Sequence, residues 1–212
     1  MLNRYARAAV TRILTPVAKL LNRWGVSPDV VTILGTIGVC VGALVFFPRG
    51  QLLVGVLVIT AFVFSDTIDG VMARLLGRTS KWGAFLDSTL DRIGDAAIFS
   101  GLAIWFFQGG DDRVMAWLAL ACLVLGSVVS YARARAEGLG MTASVGIAER
   151  ADRLVAALVT TGLVGLGLPE VVLKVVLAVL AVASVITILQ RVLFVRQQVL
   201  AEEAADSTPA TS

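Results

Sequence analysis

Ser65–Asp95 reads SDTIDGVMARLLGRTSKWGAFLDSTLDRIGD and lies between two apolar runs long enough to cross a membrane. It holds Asp66, Asp69, Asp87 and Asp91. Working outward, the stretch divides into the polar end of one helix, a short basic connection from Arg74 to Trp82, and the polar start of the next helix. Spacings of three and four put Asp66 with Asp69, and Asp87 with Asp91, on single helical faces. The fold follows from what surrounds these acids.

The chain has 212 residues, of which 58% are hydrophobic and 16% charged. Soluble domains average roughly 25% charged residues, so an all-α integral membrane protein is expected. Histidine is absent, which excludes His-based acid–base chemistry and His-ligated zinc. Cys40 and Cys122 sit inside apolar runs and read as small core residues. Any metal must then take oxygen ligands, or less favourably the two thiols. The net charge of +3 is small and calls for no nucleic-acid partner. The N-terminus is basic but has no continuous apolar run of signal-peptide length before Val30, so no secretory signal peptide is expected.

Residues 1–23 predict an interfacial amphipathic helix. Leu2, Ala6, Ala9, Val10, Ile13, Val17 and Leu20 recur at helical spacing, and Arg4, Arg7, Arg12, Lys19 and Arg23 fall mostly opposite them. Pro16 is expected to kink it. A membrane domain over 29–196 follows, with six transmembrane helices at 29–47, 52–76, 83–107, 114–136, 152–168 and 171–195. Residues 137–151 form a Gly-containing loop, and 201–212 read as a disordered tail. Fourteen Lys and Arg residues gather at the N-terminal helix, the second-to-third connection, the fourth-to-fifth loop and the end of the sixth helix. Arg49, Arg113 and Lys174 lie on the other side, so the positive-inside rule puts both termini and the acidic end in the cytoplasm.

On that orientation Asp66 and Asp69 lie about 18 and 14 Å from the cytosolic end of their helix, and Asp87 and Asp91 about 9 and 15 Å. One ionised Asp at a helix centre costs about 2.5–3.5 kcal/mol on insertion scales, and neighbouring like charges oppose one another. Two divalent cations bridged by the four carboxylates remove both problems, and hard oxygen ligands suit Mg²⁺ or Mn²⁺. The competing readings are a polar patch satisfied by arginines and an ion pathway. Gly70 and Ala73 share the Asp66–Asp69 face, and Gly83 precedes Asp87 by one turn, which permits close approach of a helix or of a ligand. Arg74 is placed to pair with a phosphate, or to snorkel to headgroups.

DTIDGVMAR, eight residues, then GAFLDSTLD fits D-x-x-D-G-x-x-A-R-x8-G-x-x-x-D-x-x-x-D at every fixed position. This resembles the signature of the CDP-alcohol phosphotransferase family, and the six-helix layout with its interfacial helix is similar over about 1–200. Such enzymes displace CMP from a CDP-linked lipid with an alcohol. The resemblance implies that Asp66, Asp69 and Asp87 are metal ligands and that Asp91 takes the acceptor's proton while also touching a metal. It implies that Gly70, Ala73, Arg74, Ser80 and Gly83 face the cytidine diphosphate, together with Asp29, Val30, Val31 and Thr32 of PDVVT. A homodimer is implied as well.

A second cluster bears on the acceptor. Ser130 and Arg133 end the fourth helix, Arg150 and Arg153 begin the fifth, and Arg191 ends the sixth. Arginines converging from three helices near the carboxylates read as an anion pocket for a phosphorylated alcohol. Snorkelling is the other reading, and fits Arg135; Arg133 also has Glu137 four residues on. SYARARAE, ERADR and ITILQR are similar to segments of actinobacterial phosphatidylinositol phosphate synthases, although Arg133 stands where those often carry Lys. That similarity implies CDP-diacylglycerol and inositol 1-phosphate as substrates in the plasma membrane. Glycerol 3-phosphate, used by phosphatidylglycerophosphate synthases, is the competing acceptor. A cation channel or carrier is disfavoured by the uncharged outer halves, Leu52–Phe64 and Ala96–Phe107. Asp95 extends the Asp87–Asp91 face, either supporting the site or bonding within the helix packing.

Overall fold

A computed structural model describes residues 15–75 and 80–206; within them, only the backbone is described for 64–67, 69, 205 and 206. The regular structure of these residues is entirely helical. The chain divides into two compact units, Met1–Asp111 and Asp112–Ser212.

In the first unit, α1 covers residues 15–23 and turns at Gly25 (φ 76) into α2, Pro28–Val41. Ser27 caps α2, its hydroxyl accepting from Val30 N at 3.3 Å, and proline fills the first turn where its missing N–H costs nothing. Helix α2 runs on through a π turn, Gly42–Phe46, and a 3-10 turn, Phe47–Arg49. The reversal at Gly50 has φ 72, a left-handed conformation suited to glycine. Helix α3 spans Leu52–Leu75 and α4 spans Lys81–Gln108. The three helices cross closely where side chains are small: a Cβ on Gly101 would lie 2.4 Å from Ala43 O, and one on Gly38 would lie 2.2 Å from the Phe62 ring. Phe47, Ile59, Ile98, Leu102 and Phe106 fill the core around these crossings. Ala18 of α1 packs with Val71 and Met72 of α3 in a smaller cluster.

In the second unit, α5 (Arg113–Gly138), α6 (Arg150–Gly165) and α7 (Glu170–Asp206) enclose Met115, Ala119, Ala157, Leu173 and Leu177. Asp112 caps α5 by accepting from Met115 N at 3.1 Å, and it is ion-paired with Lys174 near the start of α7. The Lys174 ammonium first, then the Met115 amide, holds this carboxyl below the ordinary Asp range. The Cys122 thiol donates to Leu177 O at 3.3 Å, and both cysteines are free.

Helices occupy all six segments expected from 29 onward, with three departures. The first segment changes helix type at Gly42, where the backbone approaches α3 and α4. Helix α7 continues to Asp206, past Arg196 and into the stretch from Ala201 expected to be disordered, because RQQVLAEEAAD is rich in good helix formers. At 37 residues it is about 55 Å long, against a hydrocarbon core of about 30 Å. Third, among the described residues three helices are long and apolar enough to cross a membrane: Pro28–Arg49, Arg113–Gly138 and Glu170–Ala204. The remaining segments fall short for identifiable reasons. The described apolar run of α3 is Leu52–Val63, α4 carries Asp91, Arg92 and Asp95 mid-helix, and α6 has 16 residues with three charges in its first turn. The expected interfacial helix is seen only as residues 15–23; its residues Leu2 to Ile13, Arg78 of the basic connection, and the tail from 207 lie outside the described residues.

Candidate active site

Helix α3 keeps a helical backbone through residues 66–70, so the register that puts Asp66, Asp69, Gly70 and Ala73 on one face is present. Val71 and Met72 point the other way, into the cluster with Ala18. The Asp66 and Asp69 side chains lie outside the described side chains. Among the described residues, a Cβ at Gly70 would meet nothing nearer than Arg74 Nη2 at 4.0 Å. Packing against the described residues therefore does not require glycine here. Arg74 is exposed, Asp87 is exposed and Asp91 is partly exposed.

Several residues expected at the nucleotide have local partners. Ser80 is the N-cap of α4: its hydroxyl accepts from Gly83 N at 2.9 Å, so both residues serve the helix start. Trp82 Nε1 donates to Asp29 Oδ2 at 3.1 Å and ties the first turn of α2 to that of α4. The Trp82 ring also lies 6.0 Å from that of Phe85. Val31 packs against the α1 cluster, Val30 is exposed, and the Thr32 hydroxyl donates to Pro28 O at 3.1 Å. Asp95 is 9% exposed and pairs with Arg92 at 3.3 Å; the same guanidinium lies 3.8 Å from Asp91. The Arg92–Asp95 pair was readable from its spacing of three, whereas Trp82–Asp29 joins residues 53 positions apart and left no local signal.

Among the described side chains no three metal-ligating groups converge. The chemistry of the acidic set nevertheless fits a hard divalent cation, since it is made of carboxylates alone.

In the second unit, three of the expected acceptor residues converge on one turn of α5. Gly126 O accepts from Ser130 Oγ at 3.1 Å and from Arg153 Nη2 at 3.4 Å, and Arg191 Nη1 donates to Val129 O. Arg153 and Arg191 are 2% and 4% exposed, and they also donate to Ala148 O (3.4 Å) and Val145 O (2.9 Å) respectively. Arg133 pairs with Glu137 at 2.8 Å, the local alternative that its sequence spacing offered, yet lies near enough for its charge to act on Arg191. Arg150 opens α6, one turn before Arg153, and Arg135 is exposed. A phosphate beside these guanidiniums would supply the anionic charge that carbonyl oxygens supply only as dipoles.

Residues 25–148 match the family model described as CDP-alcohol phosphatidyltransferase. The chain is 55% identical over 211 residues to the phosphatidylinositol phosphate synthase of Streptomyces avermitilis, covering 97% of this chain and 86% of that one. It is similar to the crystal structure of Mycobacterium tuberculosis phosphatidylinositol phosphate synthase with CDP-DAG bound, at TM-score 0.84 and 45% identity, over 87% of this chain and 94% of that one. A second structure of that enzyme, in complex with manganese and citrate, matches at TM-score 0.82 and 44% identity, over 86% and 88% of the two chains. The signature of eight fixed residues lies inside the matched span, and the likeness continues through α6 and α7. This chain belongs to the CDP-alcohol phosphatidyltransferase family.

Proposed function

We propose that this chain transfers the phosphatidyl group of CDP-diacylglycerol to inositol 1-phosphate, giving phosphatidylinositol phosphate and CMP. The observation that carries the reading is the 55% identity to a phosphatidylinositol phosphate synthase over nearly the whole chain. That likeness runs beyond residue 148, where the family match ends, into the segment with Arg150, Arg153 and Arg191.

In this reading the acceptor hydroxyl attacks the phosphorus attached to diacylglycerol, the bond to the CMP oxygen breaks, and Asp91 takes the hydroxyl proton. Asp66, Asp69, Asp87 and Asp91 would hold two divalent cations, Mg²⁺ or Mn²⁺. When bound, these ions supply positive charge to the pyrophosphate oxygens. Gly70 and Ala73 leave room for the cytidine diphosphate, and Arg74 pairs with its phosphate. Ser80 and Gly83 fix the start of α4, and Asp29 to Thr32 contribute the first turn of α2. Ser130, Arg133, Arg150, Arg153 and Arg191 hold the acceptor's own phosphate. All six helices from α2 to α7 span the plasma membrane, with α1 interfacial and the termini and site cytoplasmic. The polar segments of α3, α4 and α6 face protein or the site rather than lipid. The chain works as a homodimer.

The test is CMP release by purified protein with CDP-diacylglycerol, Mg²⁺ and either inositol 1-phosphate or glycerol 3-phosphate. Release with inositol 1-phosphate is expected. Release with glycerol 3-phosphate alone would overturn the acceptor assignment.

A further inference from the structure

Residues 139–149, between α5 and α6, contain no helix and form a strap along α7. Three points hold it. Ala148 N donates to Thr187 Oγ1 at 3.1 Å, Val145 O accepts from Arg191 Nε at 2.9 Å, and Thr142 binds Gln198. As the strap runs from 142 to 148, its partners on α7 run from 198 back to 187, so the two lie antiparallel. Gly146 sits between the attachments at φ 144, where a Cβ would come within 2.4 Å of Thr187 Cγ2. Glycine is therefore required both by the backbone and by the close approach.

The Gln198 attachment differs from the others. Its Oε1 accepts from Thr142 N (3.0 Å) and Thr142 Oγ1 (3.2 Å), while its Nε2 donates to Thr142 O (2.7 Å). One amide thus satisfies both backbone groups of Thr142. Gln198 lies seven residues, about two turns, beyond Arg191 on the same face of α7. It bonds the strap, whose Val145 O and Ala148 O in turn bond Arg191 and Arg153.

We propose that Gln198 is a positioning residue for the acceptor-phosphate site: by clamping Thr142 it sets the strap carbonyls that aim Arg191 and Arg153. This rests on the reading that those arginines hold the acceptor's phosphate. Loss of the clamp lets the strap shift, and the guanidiniums follow their carbonyl partners. Affinity for the phosphorylated alcohol then falls while the CDP-lipid is untouched.

The test compares full-length wild type with Gln198→Ala, Gln198→Glu and, as control, the neighbouring exposed Gln197→Ala. CMP release is measured by varying inositol 1-phosphate and CDP-diacylglycerol in turn. Gln198→Ala is expected to raise the KM for inositol 1-phosphate about tenfold. Its kcat should stay within about twofold and its KM for CDP-diacylglycerol should not change. Gln198→Glu keeps the acceptor for Thr142 N but loses the donor to Thr142 O, and should fall between Gln198→Ala and wild type. Amide hydrogen exchange over 142–148 should rise in Gln198→Ala and not in Gln197→Ala. An unchanged acceptor KM overturns the proposal. So does a parallel fall in kcat and rise of both KM values with lost thermal stability, which marks a merely structural residue. If Gln198→Ala does not fold, Gln198→Glu is judged by the same criteria. If wild type turns over only with glycerol 3-phosphate, the acceptor reading fails and the clamp is judged on the KM for that phosphate.

Discussion

Before Asp111, the polar groups whose side chains are described lie open: Asp87 and Arg74 are exposed, Asp91 is partly so, and no described atom but Arg74 Nη2 comes within 4.0 Å of a Cβ at Gly70. After Asp112 the arrangement reverses, with Arg153 and Arg191 at 2% and 4% exposure and hydrogen-bonded to the carbonyls of α5 and the strap. The contrast is one of preorganisation. In the proposed reading the acids take cationic ligands to complete their site, which fits exposed carboxylates. The arginines are already fixed by backbone carbonyls, which in the same reading lowers the ordering cost of binding the acceptor's phosphate.

The largest effect that would break this contrast is at Asp91. Asp91→Asn should lower CMP release by about a thousandfold, the range typical for loss of a general base, while CDP-diacylglycerol binding measured by calorimetry persists. Lost binding with retained turnover would reverse the assignment. Arg191→Lys keeps the charge but cannot make both carbonyl hydrogen bonds, so an acceptor KM raised about tenfold is expected with kcat less affected. An equal loss of kcat and nucleotide affinity would place Arg191 with the acidic machinery instead.

Two glycines sharpen the comparison between open and packed positions. Gly70→Ala should not lower thermal stability, since its Cβ meets no described atom nearer than Arg74 Nη2 at 4.0 Å and alanine is the better helix former. The KM for CDP-diacylglycerol should nonetheless rise severalfold. Gly101→Ala should do the opposite, costing about 1–3 kcal/mol because its Cβ would meet Ala43 O, with KM unchanged.

The smallest effect concerns Asp112. Its native carboxyl titrates below the ordinary value of 3.8, so its pairing with Lys174 stabilises the folded state fully above that value. That contribution disappears as pH falls through the lower native value. Melting curves of wild type and Asp112→Asn should therefore differ at neutral pH and converge on acidification. A difference that grows towards low pH would contradict the assignment.

Helix positions were legible because they depend on runs of apolar residues with polar breaks, and every segment from 29 onward was found. The acidic face was legible for the same reason: spacings of three and four survive into the helical backbone of α3 and α4. The ends of α7 and the environment of the arginines were not. Arg191 looked like a residue at a cytosolic mouth, but its burial depends on carbonyls 46 and 62 positions away. Ser80 was assigned through its resemblance to nucleotide-binding residues, and its N-cap role adds a local reason for its identity. Among the described residues hydropathy picks out three spans, because the described apolar run of α3 ends at Val63, α4 carries Asp91, Arg92 and Asp95, and α6 has only 16 residues.

On the proposed six-span topology, the Arg92–Asp95 pair has a consequence for how α4 reaches the bilayer. Taken separately, a cation and an anion there would each resist leaving the translocation channel, at about 2.5–3.5 kcal/mol apiece on insertion scales. Three residues apart and 3.3 Å from one another, they can enter as a net-neutral dipole. Asp87 and Asp91 add two further carboxylates to the same helix, and Arg92 also lies 3.8 Å from Asp91. Stable lodging of α4 should then wait for α2 and α3, whose glycine-lined contacts admit it. During biogenesis this segment would be a late and partner-dependent arrival.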